Sequence, residues 1–254
     1  MGIKELFESH KERITTGFAM LLAATFVAVI DSLFVTWAIL GVVYMFAFYE
    51  AMNLFEAKDN KLFVYAVAVW ITAYFYPNPD DLIFIVLILS LSIMSHSKEV
   101  DFKKIAPFLY PSISMLFIYT LYQDFGMEVL VWFVLIVATT DTMAYFIGKS
   151  VGKTPFSATS PNKTWEGVLG GIICASILGT FVGIIFISFF KALIISVLVS
   201  AVSVWSDLFE SYLKRMAGVK DSGDIFPGHG GMLDRLDGYL FSAVLMVILL
   251  RGLS

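Results

Sequence analysis

Residues 168–206 read VLGGIICASILGTFVGIIFISFFKALIISVLVSAVSVWS, an apolar stretch in which Lys191 is the only charged residue. A single helix over these 39 residues would be about 60 Å long, roughly twice the hydrocarbon thickness of a bilayer. The stretch must therefore fold back on itself, and residues 188–191 are the expected turn. This predicts two adjacent membrane-spanning helices.

The rest of the chain has the same apolar character. Of its 254 residues, 59% are hydrophobic and 15% are charged, whereas roughly 25% are charged in soluble domains. We expect an all-α, polytopic integral membrane protein with one membrane domain, residues 1–254. It should have nine spans, or eight if the short run 82–95 lies at the interface, and Pro107 and Pro111 should kink the fifth. The apolar runs are 14–30, 33–49, 62–76, 82–95, 105–121, 127–147, 168–188, 190–206 and 238–250.

The distribution of Lys and Arg predicts the orientation, because positively charged short loops stay in the cytoplasm. Nine spans with a cytoplasmic N-terminus place 15 of the 17 Lys and Arg residues inside. Only Lys191 and Arg251 fall outside, where the turns instead carry acids: Asp31, Asp80, Asp81, Asp124 and Glu128. The absence of an extended basic tract predicts no nucleic-acid partner. The single cysteine, Cys174, excludes a Cys-based metal site.

Polar residues concentrate in two predicted cytoplasmic segments, 148–167 and 207–237. The spans are nearly free of ionisable residues, which a transporter would be expected to hold at mid-membrane depth; Asp141 is the main exception. This favours chemistry at the membrane surface. We therefore divide the domain into N-terminal helices, 1–125, and a catalytic part, 126–254. A nonenzymatic membrane scaffold is the alternative from another class.

The segment 207–237 combines carboxylates, basic residues and glycines. If the eighth span continues as a helix to residue 215, then Asp207, Glu210, Ser211 and Lys214 share one face. Glycines in the run 227–231 let backbone N–H groups approach an anion, and a helix beginning after it would aim its N-terminus at the same anion. Asp234 and Asp237 suit Mg²⁺, particularly with substrate phosphates completing its shell.

Each of these features also has an ordinary structural explanation. Asp207 is also explained as a solvated acid at a helix end. Lys214 and Arg215 are also explained as a pair that sets the topology or binds lipid headgroups. The glycine run, with His229, is acceptable as a plain turn. In the segment 148–167, Lys163 suits a phosphate contact, but the sequence there also fits a helix start with Trp165 as an interfacial aromatic. Because the rest of the chain has few charged residues, the combination of carboxylates, basic residues and glycines in these segments favours a functional site.

The motifs resemble those of the phosphatidate cytidylyltransferases, also called CDP-diacylglycerol synthases. The main one is Ser211-x-x-Lys214-Arg215-x-x-x-x-Lys220-Asp221-x-Gly223-x-x-x-Pro227-x-His229-Gly230-Gly231-x-x-Asp234-Arg235-x-Asp237. Further matches are Asp141-Thr142-x-Ala144-Tyr145-x-x-Gly148, Ser160-Pro161-Asn162-Lys163-Thr164-x-Glu166-Gly167 and, weakly, Arg13-Ile14-x-Thr16-Gly17. Specific motifs cover about residues 141–237, while the N-terminal spans resemble the family mainly in hydropathy. One departure is Ser206, where the family more often has Gly.

The resemblance implies a reaction in which phosphatidate attacks the α-phosphate of CTP, giving CDP-diacylglycerol and pyrophosphate, with Mg²⁺ required. It also implies a homodimer in a bacterial inner membrane, in contact with membrane lipids, with its active site facing the cytoplasm and K⁺ as a second ion. Another CTP-using lipid enzyme, such as a CDP-archaeol synthase or a polyprenol kinase, is the nearest alternative.

The resemblance and the residues together give each candidate a role. The metal-binding acids are Asp207 and Asp234, with Asp237 as a third acid. Lys163 acts at the catalytic centre on substrate phosphates. The candidate substrate-binding residues are Asn162, Lys214, Arg215, Lys220, Asp221, His229, Gly230, Gly231 and Arg235.

Overall fold

The structure is a computed structural model that describes residues 11–97, 101–226 and 230–253. Within these ranges the regular structure is helical, and two isolated β-bridges take the place of any sheet, so the predicted all-α class is confirmed. The helices are α1 Lys11–Ile30, α2 Leu33–Leu54, α3 Lys61–Phe75, α4 Leu82–Ser97, α5 Phe102–Pro107, α6 Ile113–Val151, α7 Trp165–Gly183, α8 Phe189–Met216, α9 Leu233–Leu236 and α10 Tyr239–Leu253.

The apolar stretch 168–206 folds back as predicted. Helix α7 ends at Gly183 and α8 begins at Phe189, so the turn lies slightly before the expected residues 188–191. Lys191 belongs to the first turn of α8, where its ammonium donates to the backbone carbonyl of Leu253. At Gly183 a Cβ atom would lie 2.4 Å from the ring of Trp132. Glycine there lets α7 approach α6 closely.

The helical segment Phe102–Val151 is 50 residues long, too long for one straight span. It is interrupted at Gly126, whose φ of +83° is non-helical and readily adopted by glycine. The break separates the predicted runs 105–121 and 127–147. The kink expected from Pro107 and Pro111 lies between them at Tyr110, with φ −145° and ψ 108°.

Six helical segments are long and apolar enough to cross a membrane, and two shorter apolar helices accompany them. Each of the nine predicted runs coincides largely with helix in the part of the chain that the structure describes. The polytopic membrane class is therefore confirmed. The six long segments are Leu33–Leu54, Pro79–His96, Phe102–Val151, Trp165–Gly183, Phe189–Met216 and Leu233–Leu253, and the shorter ones are Gly17–Ile30 and Lys61–Phe75.

One end of the bundle collects charges that the sequence placed in outer turns. Arg251, near the end of α10, donates to Asp80 at 2.6 Å and to Asp124 at 2.9 Å. Close by in sequence to Asp124, Tyr122 donates to Asp31 at 3.0 Å. Asp31, Asp80, Asp124 and Arg251 come from four distant stretches of the chain. These contacts bring together apolar-run ends that the sequence predicts to lie outside.

We expect Asp80→Asn to destabilise the protein. The Asp80 side chain is buried and accepts two hydrogen bonds from Arg251, and weakening such charged hydrogen bonds costs about 2 kcal/mol. For a chain of this length that corresponds to a fall of roughly 4–8 °C in the thermal unfolding midpoint, measured in detergent. The matched control is Asp81→Asn, because Asp81 is the exposed neighbour. Equal midpoints in the two variants would contradict the role of this ion pair.

Candidate active site

The polar face predicted at the end of the eighth span is formed by α8. The helix continues to Met216, so residues three and four positions apart meet on its surface. Ser211 donates to Asp207 at 3.4 Å, and the Lys214 ammonium lies 3.4 Å from Glu210. The prediction that these four residues share a face is confirmed.

The segment between α6 and α7 carries Lys163 to this face. Its two arms are joined by a β-bridge between Pro155 and Thr164, with the Phe156 N–H donating to the Lys163 carbonyl at 2.7 Å. Thr164 caps the N-terminus of α7 by accepting from the Gly167 N–H. Held in this way, the half-buried Lys163 forms an ion pair with Asp207.

Asp234 is the most extensively bonded acid of the site. One of its oxygens accepts from the Lys214 ammonium at 2.6 Å. The other accepts from the backbone N–H groups of Ser222 and Gly231, each at 2.8 Å, and lies 2.9 Å from the Ser222 hydroxyl. Gly230 has φ +79°, and a Cβ atom there would lie 2.6 Å from the carboxylate. Gly230 and Gly231 thus pack closely against Asp234.

Glu50 also belongs to the site, and the sequence did not indicate it. This acid near the end of α2 is 2% exposed and accepts from the N–H groups of Met232 and Leu233, each at 2.8 Å. A helix N-terminus was expected there for a substrate anion, but in the structure α9 presents these N–H groups to Glu50. The only signal in the sequence was a carboxylate directly after the apolar run 33–49.

Asp237 follows α9 and is half-buried. The Ser206 hydroxyl donates to its backbone carbonyl and accepts from the Phe241 N–H at 3.1 Å. Ser206, the departure from the family pattern, therefore ties α8 to the segment that carries Asp237. Asp141 lies opposite this segment, because a Cβ atom at Gly238 would be 3.2 Å from its carboxylate.

The other predicted substrate-binding residues differ in their exposure. Asn162, Arg215, Lys220 and Asp221 are exposed. Arg215 donates to the Val219 carbonyl at 3.2 Å. Within the described ranges, no hydrogen bond or ion pair joins these four side chains to the carboxylates. Arg235 is half-buried. His229 lies outside the described residues.

The carboxylates outnumber the cations. We define the carboxylate cluster as six acids, and the basic residues next to it are Lys163, Lys214 and Arg235. Glu210 is fully buried and its oxygens accept no hydrogen bond from the described residues, although the Lys214 ammonium lies 3.4 Å from one of them; the Tyr110 hydroxyl also has no hydrogen-bond partner there. Such buried polar groups are candidates for contact with a bound ion or ligand. The carboxylate cluster comprises Glu50, Asp141, Asp207, Glu210, Asp234 and Asp237.

The donor set fits a magnesium ion that arrives with a phosphate ligand. Within the described ranges, no three acidic, histidine or cysteine side chains converge as a preformed metal cage. Mg²⁺ is commonly held by one or two carboxylates plus substrate phosphates and water. Asp207 and Asp234 offer such carboxylates, each with a lysine partner that a phosphate could take over.

This chain is similar to known proteins over most of its length. The sequence pattern of the cytidylyltransferase family matches residues 11–253. A phosphatidate cytidylyltransferase of Helicobacter pylori strain J99 is 43% identical over 99% of this chain and 95% of that protein. One of Thermotoga maritima is 30% identical over 85% of this chain and 87% of that protein. A phosphatidate cytidylyltransferase of Bacillus subtilis is 40% identical over 52% of this chain and 51% of that protein.

The family match and the Helicobacter pylori J99 relative extend over the N-terminal helices, which resemble the family mainly in hydropathy when the sequence is considered alone. They also include α2 and α9, the helices that meet at Glu50. The chain therefore belongs to the cytidylyltransferase family, as its motifs predicted.

Proposed function

We propose that this protein transfers the cytidylyl group of CTP to phosphatidate, giving CDP-diacylglycerol and pyrophosphate for phospholipid synthesis. The proposal is carried by two lysine–carboxylate pairs, Lys163 with Asp207 and Lys214 with Asp234, at one end of a membrane bundle. When a phosphate binds together with its cation, each lysine can pair with the phosphate and each carboxylate with the cation. The names of the relatives and the family membership support the same reaction.

The reaction needs positioning and charge neutralisation more than a protein nucleophile. An oxygen of the phosphatidate phosphate forms a bond to the α-phosphorus of CTP. The bond from that phosphorus to the bridging oxygen of the β-phosphate breaks, and pyrophosphate leaves with the electron pair. Because a phosphate monoester has a second pKa of about 6, its oxygen is already ionised and requires no strong base.

The residues of the centre have separable roles in this proposal. Lys163 releases Asp207 and binds a substrate phosphate, while Lys214 neutralises Asp234 and the departing pyrophosphate. Asp207 and Asp234 would hold Mg²⁺, with Asp237 as a third acid. When bound, Mg²⁺ supplies positive charge to the phosphate oxygens. The excess of carboxylates over cations gives a physical reason for it, since an anionic substrate would otherwise be repelled.

A groove between α8 and the segment that carries Lys163 suits the lipid. Its volume is about 360 Å³, and it borders both α8, through Leu208, and the segment that carries Lys163, through Thr159. An apolar groove next to a phosphate-binding centre would hold acyl chains while the headgroup reaches Lys163. The groove is lined by Thr159, Trp205, Leu208, Phe209, Tyr212 and Phe241.

The cellular setting is part of the proposal. The Lys and Arg distribution supports a centre on the cytoplasmic side, where CTP is available, and the family resemblance implies a bacterial inner membrane. K⁺ as a second ion and a homodimer are implied by the family resemblance and stay predictions.

The test is pyrophosphate release by detergent-purified protein. We expect release only when CTP, Mg²⁺ and phosphatidate are all present, and its loss on chelation of Mg²⁺. Release of CDP with phosphorylation of a polyprenol would instead indicate a kinase. Pyrophosphate release with an archaeal ether-lipid phosphate but not with phosphatidate would indicate a CDP-archaeol synthase. A folded protein that forms no product with any lipid would overturn the proposal in favour of a nonenzymatic role.

A further inference from the structure

Glu50 is a buried acid whose bonding partners all lie more than 170 residues away in sequence. One of its oxygens accepts from the Met232 N–H. The other accepts from the Leu233 N–H and lies 2.9 Å from the Ser222 hydroxyl. No Lys, Arg or His side chain pairs with Glu50 in the ranges that the structure describes. Backbone dipoles and one hydroxyl therefore balance its charge.

These contacts supply a missing cap to α9. The first N–H groups of a helix have no partner within the helix and attract negative charge. The N-cap residue of α9 is Met232, whose side chain has no oxygen to accept from them. A helix of four residues has little stability of its own. The Glu50 carboxylate therefore contributes strongly to the stability of α9.

The same contacts reach Asp234. The Ser222 hydroxyl lies 2.9 Å from both the Glu50 and the Asp234 carboxylates, and the Ser222 N–H donates to Asp234. Gly223 and Gly231 pack directly against Glu50, because a Cβ atom at either position would lie 2.5 Å from one of its oxygens. A displacement of Glu50 would therefore move the groups that orient Asp234.

We propose that Glu50 is a positioning residue, through which the N-terminal helices hold Asp234 and Gly231 in the geometry needed to bind Mg²⁺ with the nucleotide phosphates. This inference rests on the proposed function for its kinetic readout. It extends the functional machinery beyond residues 126–254. Asp is too short to make the same contacts, and the amide of Gln would turn a donor toward groups that are themselves donors.

The experiment compares Glu50→Gln with Glu56→Gln. Glu56 is an exposed acid just after α2 that pairs with Lys103, so its substitution makes the same chemical change outside the centre. For Glu50→Gln we expect kcat to fall by about 10–100-fold, the usual range for residues that orient metal ligands. The half-saturating Mg²⁺ concentration should rise, while the KM for phosphatidate stays within about threefold. Glu56→Gln should match the wild type in each.

A second readout does not depend on activity. Lys220 is exposed in the loop before Ser222, so a loosened loop should be cleaved by trypsin at this residue faster in Glu50→Gln than in Glu56→Gln. If Glu50→Gln fails to fold, Ser222→Ala removes only the shared hydroxyl and should show the same change in kcat and Mg²⁺ dependence to a smaller extent.

The possible results separate the two proposals. Wild-type kcat and Mg²⁺ dependence in Glu50→Gln, or equal losses in both Glu variants, would overturn the positioning role. If the wild type itself produces no pyrophosphate, the proposed reaction is wrong, and the trypsin cleavage rates alone decide whether Glu50 orders the loop.

Discussion

Asp234→Asn is expected to lower the rate of pyrophosphate release by about 10³-fold, the upper range for loss of one preorganised electrostatic contact. Two physical effects combine. The negative charge that would face Mg²⁺ is lost, and the amide NH₂ must face existing donors. In one orientation it meets the Lys214 ammonium, and in the other it meets the N–H groups of Ser222 and Gly231. Neither orientation restores the native contacts.

The measurement is steady-state pyrophosphate release at saturating CTP and phosphatidate. Asp224→Asn is the matched control, because Asp224 is an exposed acid of the same loop and should retain wild-type turnover. Thermal unfolding in detergent checks that both variants are folded. Turnover of Asp234→Asn within about threefold of the control would remove Asp234 from the catalytic centre.

Breaking the pair of Lys163 and Asp207 is expected to have the next largest effect. Asp207→Asn should remove most turnover, about 10²–10³-fold, because it loses a negative charge at the phosphate-binding centre. Lys163→Ala should lower kcat/KM by about 10²-fold, mainly through weaker use of substrate. Because the two side chains form one ion pair, the effects should not add, and the double variant should be little worse than Asp207→Asn alone.

The double-mutant cycle is measured as kcat/KM for CTP and for phosphatidate. Lys153→Ala provides the control, since Lys153 is an exposed lysine of the same segment. Fully additive losses would mean that Lys163 and Asp207 act independently. Unchanged kinetics in Lys163→Ala would mean that Lys163 has only a structural role before the start of α7.

Much of the candidate centre could be predicted from local sequence patterns. The spacing of Asp207, Glu210, Ser211 and Lys214 implies a shared face in any helix, and α8 is helical throughout that region. The interrupted segment Phe102–Val151 likewise follows from the length of a span and from Gly126. These features depend on residues a few positions apart, for which the helical repeat alone decides which side chains meet.

The glycine run shows the limit of such patterns. Its composition predicted a site for a substrate anion at the start of the next helix, and an anion does lie there. That anion is the carboxylate of Glu50, and the Gly231 N–H donates to Asp234. A pattern of donors indicates that an acceptor will be bound, but the identity of the acceptor depends on which distant residue the fold brings near.

The sequence by itself determined the membrane class, the helical runs, the family and the acids and bases of the two polar segments, because hydropathy, helical repeat and motif spacing are local properties. Only the tertiary structure decided that Lys163 pairs with Asp207, that Arg251 joins Asp80 to Asp124, and that Glu50 caps α9. These contacts connect residues 44 to 183 positions apart. They depend on how the helices pack, which no local repeat specifies.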